Sequence, residues 1–108
     1  MFVAENFTLK MDKILDFKIP AMWQEHIKKR PDLFTELKSW SMYQHTLGTY
    51  GGVVEYSEFD SFEDYRRWLN RLLGDEDFAP LLEAYNDSVV SGSWHEAILD
   101  KVGSWAGG

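Results

Sequence analysis

Apolar and polar residues partly alternate along Met1 to Lys10 (MFVAENFTLK), a β-rich run that predicts a first strand. From Asp12 onward the period lengthens. Ile14, Leu15, Ile19, Met22, Trp23, His26 and Ile27 recur three and four residues apart, as on one face of a helix. Pro20 lacks a backbone N–H, so this helix is expected to kink or restart there, and Pro31 stops it. Lys28, Lys29 and Arg30 suit the negative end of its dipole. Alternation returns in Glu36 to Leu47 (ELKSWSMYQHTL), with Trp40 and Met42 on one face and Tyr43 and His45 on the other. Gly48, Gly51 and Gly52 mark a turn before Val53 to Phe59 resumes the strand pattern, and the pair reads as a β-hairpin.

A second helix opens at Ser61, a good N-cap with Asp64 three residues on in a variant of the capping box. Phe62, Tyr65, Leu69, Leu72 and Leu73 form its apolar stripe, and Gly74 closes it. Asp75, Glu76 and Asp77 open another helical segment that tolerates Pro80 in its first turn and continues the face through Leu81, Leu82 and Tyr85. Ser93 to Val102 (SWHEAILDKV) reads as the last strand. Residues 1–102 are thus expected to form one domain, followed by a Gly-rich tail, 103–108, that carries Trp105.

The order strand, helix, strand, strand, helix, strand predicts an α+β fold of the ferredoxin-like βαββαβ kind. Right-handed crossovers then give a four-stranded antiparallel sheet of order 4-1-3-2 with both helices on one face. Phe7, Leu9, Trp40, Met42, Tyr56 and Leu99 are expected to supply the opposite face, too apolar to leave in water. A second copy of the chain would cover it, so a homodimer closing a dimeric α+β barrel is expected.

Composition narrows the classes of function. Eleven Lys and Arg against 18 Asp and Glu give a net charge of −7, which repels phosphate backbones and anionic lipid. The basic runs Lys28-Lys29-Arg30 and Arg66-Arg67 lie in helical segments among acids and read as solvated faces. Neither nucleic acid nor a membrane is an expected partner. The chain has no cysteine, which excludes disulfides and thiolate chemistry. It turns polar at Glu5-Asn6, so no signal peptide is expected, and a cytoplasmic location is the default. With 5 Trp, 5 Tyr and 7 Phe, the rings are large pieces for one core and hint at a ligand cavity or a subunit interface.

Two stretches then carry a likeness to known proteins. Val53-Val54-Glu55-Tyr56-Ser57-Glu58-Phe59 runs into Ser61-Phe62-Glu63-Asp64-Tyr65-Arg66-Arg67-Trp68, and a broken second helix follows at Asp75-Glu76-Asp77-Phe78-Ala79-Pro80-Leu81-Leu82. In these features and in element order the chain resembles the dimeric α+β-barrel superfamily, and within it NIPSNAP-like proteins. That resemblance implies a homodimer with a poorly defined biochemical role, here with a small apolar or aromatic ligand. Ala4-Glu5-Asn6 also looks like the first strand of heme-degrading monooxygenases of the same superfamily, which pair such an Asn with a Trp and a His on or near the second helix. Asn6 matches the first; Tyr65 takes the place of the Trp, with Trp68 one turn on. Residues Phe62 to Val90 contain no histidine, so heme is disfavoured and no cofactor is expected. The alternative that survives is a small monooxygenase or isomerase, with Asn6, Tyr65, Trp68 and His45 as catalytic candidates.

For ligand binding, the residues of interest are Asn6, Trp23, Tyr65 and Trp68. The plainer view makes Trp23, Trp40, Trp68 and Trp94 core and interface; the sharper one places a flat molecule between sheet and helices. His26 reads as a core or boundary residue. His45 and His95 fall on the two edge strands, about 14 Å apart at roughly 4.8 Å per strand, so no metal site is expected. Each of Glu5, Glu55, Glu58 and Glu96 is expected to point outward or to pair with Lys or Arg. A Glu held in a low-dielectric pocket would instead titrate high and could act as a general acid or base. His95 and Glu96 are neighbours on a strand, point oppositely and cannot form a dyad. No phosphate loop, G-x-S-x-G elbow or His-Glu-x-x-His run is present.

Overall fold

Register between strands decides which side chains meet the helices, and three antiparallel pairings settle it here. The structure, a computed structural model, describes residues 1–107. Strands β1 (Phe2–Thr8), β2 (Ser39–Gln44), β3 (Gly52–Glu58) and β4 (His95–Leu99) form one sheet of order β2-β3-β1-β4. This is the expected order read from the other edge. Helices α1 (Ile19–Lys29), α2 (Phe62–Leu73) and α3 (Ala79–Ser88) all pack on one of its faces. The result is a ferredoxin-like α+β fold whose second crossover is broken into two helices.

Local chemistry accounts for the helix boundaries. Pro20 occupies the first turn of α1, so the helix starts at Ile19 and not at Asp12; the preceding stretch holds only a short 3-10 turn at Met11–Lys13. The Ser61 hydroxyl accepts the Asp64 N–H at 3.1 Å and starts α2, while Gly74 caps its end. Asp75 caps the turn Glu76–Phe78 that leads into α3, with Pro80 in the first turn as expected. In the β2–β3 connection Gly51 has φ +77°, and an added Cβ would lie 3.2 Å from the Leu9 carbonyl oxygen, so glycine is required there. Strands β2 and β4 are shorter than the expected Glu36–Leu47 and Ser93–Val102. Residues Lys101 to Gly107 adopt no regular structure, Trp105 is exposed, and Gly108 lies outside the described residues.

The core is built around Trp23 of α1, whose ring centroid lies 5.4 Å from Phe78, 6.0 Å from Trp40, 6.1 Å from Phe34 and 6.2 Å from Trp68. Val3, Phe7, Val53, Phe59 and Leu72 are almost completely buried with it. His26 is buried between Phe34 and Phe78, the core alternative of the two expected of it, and its Nε2 has no partner among the described residues.

The expected uncovered face requires correction. Phe7, Leu9, Trp40 and Met42 belong to the helix-covered side: Phe7 and Leu9 are buried, Phe7 stacks on Trp94 at 4.7 Å, and Trp40 packs against Trp23. Of the six residues named, Tyr56 and Leu99 do lie on the open face. There they join Phe2, Asn6, Tyr43 and His95 by register. Alternation sorts residues into two sets but does not say which set meets the helices; the cross-strand partners and the Trp23 cluster decide that. No helix among the described residues is long and apolar enough to cross a membrane.

Candidate functional site

The register that buries Val3 and Phe7 also turns Glu5 inward, because residues two apart on a strand share a face. Glu5 stands opposite Glu55 on β3 and opposite Glu96 on β4, so three glutamates form a row across the middle of the sheet beneath the helices. This overturns the expectation that they point outward or pair with Lys and Arg. Among the described residues, the salt bridges of the chain involve other acids. Only Glu58, of opposite parity, points away, where it accepts a hydrogen bond from the Ser39 hydroxyl.

Aromatic donors serve the row unequally. Glu55 accepts from the Tyr85 hydroxyl at 2.7 Å and from the Trp40 indole N–H at 3.0 Å. Tyr85 in turn accepts from the Trp23 indole N–H at 2.5 Å. Glu96 accepts from the Tyr65 hydroxyl at 3.2 Å. Among the described residues Glu5 receives no such donor, and its nearest polar neighbour along the row is the Glu96 carboxyl.

The electrostatics follow from this layout. Burial first, then the negative charges of Glu55 and Glu96, push Glu5 up to about 8, so it is largely a neutral carboxylic acid at pH 7. Burial also raises Glu55, opposed by its bonds from Tyr85 and Trp40. The phenols of Tyr65 and Tyr85 are raised chiefly by burial and then by the neighbouring glutamates, which keeps both of them donors.

Between the row and helices α2 and α3 lies a cleft of about 580 Å³. Glu5 and Glu55 form part of its floor, and Trp23, Trp68, Trp94 and Phe78 give it aromatic walls. Among the described residues Lys10 is the one cation lining it. Trp68 is 5% exposed, and its indole N–H has no acceptor among the described residues. The cleft lining holds no histidine, and its one phenol, Tyr85, is committed to Glu55 and Trp23, so these residues do not fit a heme iron.

The structure divides the residues singled out from the sequence. Trp23 and Trp68 line the cleft; Tyr65 does not, and its hydroxyl donates to Glu96. Asn6 and His45 do not reach it. They face the open side of the sheet, in a separate hollow of about 280 Å³ shared with Thr8 and His95. Asn6 therefore cannot act with Trp23, Tyr65 or Trp68 on one molecule inside one subunit, because the sheet stands between them. The row and Tyr85 were missed as a unit. Their signal was present: Glu5 lies between Val3 and Phe7, and Glu55 follows Val53 by two, each a carboxylate at an inward position of a strand.

The fold and the cleft define the class: a ferredoxin-like α+β domain with an aromatic-walled internal site. Solved structures extend the likeness. A NIPSNAP family protein of unknown function from Agrobacterium tumefaciens superposes with a TM-score of 0.70 at 18% identity, over 91% of this chain and 84% of that one. An uncharacterised NIPSNAP domain protein from Burkholderia xenovorans gives 0.70 at 12% identity, over 98% of this chain and 100% of that one. SnoaB, a cofactor-independent oxygenase from Streptomyces nogalater, gives 0.67 at 9% identity, over 95% and 93%. At these identities the likeness is one of fold. No protein-family model matches the chain, and no curated protein matches it.

Proposed function

We propose that this is a NIPSNAP-like, cytoplasmic homodimer that binds a small, mainly apolar or aromatic molecule in the cleft between sheet and helices. The observation that carries the reading is the cleft itself. Its volume of about 580 Å³ suits a small-molecule site, and its wall of tryptophans above a few buried polar groups is how such sites combine affinity with orientation. The homodimer is supported by the open sheet face, where Tyr43 and Tyr56 pack at 6.0 Å beside Phe2 and Leu99 with no helix over them.

The test is a titration with N-phenyl-1-naphthylamine, an uncharged apolar probe, followed by quenching of tryptophan emission. Saturation at one probe per subunit, abolished in a well-folded Leu69→Trp variant that fills the cleft, is expected. Non-saturating quenching, or quenching that Leu69→Trp leaves unchanged, would remove the cleft as the site. Sedimentation should give the mass of two chains, and a Tyr56→Glu variant the mass of one.

A second reading, a cofactor-free oxygenase or isomerase, is favoured by one specific observation: a carboxyl, Glu5, lies on the cleft floor, where burial and the neighbouring glutamates push it up to about 8. A carboxyl so placed can exchange a proton with a bound substrate near neutral pH. Glu5 then takes the role first sought in Asn6. Turnover of an enolisable or phenolic substrate that Glu5→Gln abolishes would favour this reading over simple binding.

A further inference from the structure

We infer that the cleft takes an amine, its ammonium set against Glu5 on the cleft floor and its aromatic or apolar body between Trp23, Trp68 and Trp94. The inference rests on the reading of the cleft as a ligand site and adds the chemical class of the ligand.

Four observations carry it. The row gathers three carboxyl groups with no Lys or Arg paired to any of them, while Arg30, Arg67 and Arg71 are tied to acids elsewhere. Donors run out along the row: Glu55 has two, Glu96 has one, and Glu5 has none from an aromatic group. Once its own proton leaves, the Glu5 carboxylate lacks a donor, and an ammonium offers three N–H groups and a positive charge. The walls are aromatic, and ring faces attract cations. Finally, Leu69, Leu72 and Leu82 of α2 and α3 also line the cleft, so a ligand that meets Glu5 at one end meets apolar surface along its body. An anionic ligand would gain Lys10 and meet the whole row.

Charge on the ligand and charge on the row are linked. The groups facing Glu5 are Glu55 from β3, Glu96 from β4, Tyr65 from α2, Tyr85 from α3, and Lys10 just beyond β1. Glu5 holds a proton below about pH 8, and an ammonium beside it expels that proton. Affinity for the amine then rises from pH 6 to pH 8 and levels off above.

The experiment is calorimetric titration of the full chain at pH 7 with three probes of one ring and different charge: tyramine, its alcohol tyrosol, and para-hydroxyphenylacetate. Two buffers of different ionisation heat count the protons. Tyramine should bind about tenfold or more tightly than tyrosol, releasing about 0.9 proton, and the acid should bind weakest. Glu5→Gln should collapse the preference for tyramine over tyrosol and the proton release. Glu58→Gln, on the opposite face, should leave both in place. Tyrosol or the acid binding as tightly as tyramine would overturn the inference while the cleft reading stands. Failure of all three probes where N-phenyl-1-naphthylamine still titrates would do the same. Failure of all four would overturn both.

Discussion

Glu5→Gln removes one proton-binding group from the floor of the cleft and leaves its shape nearly unchanged. In the folded chain Glu5 is pushed from 4.5 to about 8, whereas in the unfolded chain it ionises in the ordinary range. Between those values the unfolded state binds fewer protons than the folded one, so stability falls as pH rises. The slope from this one group is about 1.4 kcal/mol per pH unit, and the total above pH 8 is roughly 5 kcal/mol, of which roughly 3 kcal/mol is already lost at pH 7. The amide carries no such penalty. The variant should therefore match the parent near pH 4 and exceed it by several kcal/mol at pH 8. Urea unfolding from pH 4 to pH 9, at one protein concentration so that any association acts equally, gives the difference curve. A difference that does not change with pH would refute the burial of an uncompensated Glu5 carboxyl.

Three further substitutions probe the scaffold around it. Tyr85→Phe takes one donor from Glu55 and strands the Trp23 N–H; it should cost about 1–3 kcal/mol, read by denaturant unfolding. Leu72→Ala, at a side chain with 0% exposure, should cost about 2–5 kcal/mol and show as a lowered thermal midpoint. Ser61→Ala deletes the α2 cap and should cost about 1 kcal/mol with an unchanged denaturant slope.

Much of the architecture was legible because its signals are local. The cap at Ser61, the stop at Pro31, the hairpin glycines and the two periodicities each depend on neighbours a few residues away. Pro20 was ambiguous between a kink and a start, since both follow from its missing N–H; the chain chose the start. The site was less legible. Trp23 and Trp68 were found as large rings needing a place, but Asn6 and His45 were grouped with residues on the other side of the sheet.

What the amino-acid sequence determined by itself was the order of elements, the antiparallel sheet that this order allows, and the division of each strand into two sets of side chains. What only the tertiary structure decided was which set faced the helices, and hence that Glu5, Glu55 and Glu96 share one row. Period-two alternation is symmetric between the faces of a sheet. The symmetry is broken by contacts far apart in the chain: Trp23 of α1 on Trp40 of β2, and Tyr85 of α3 on Glu55 of β3. Those contacts place Glu5 and Glu55 on the floor of a low-dielectric cleft, with Glu96 beside them on the edge strand, and the cleft's chemistry follows from that placement.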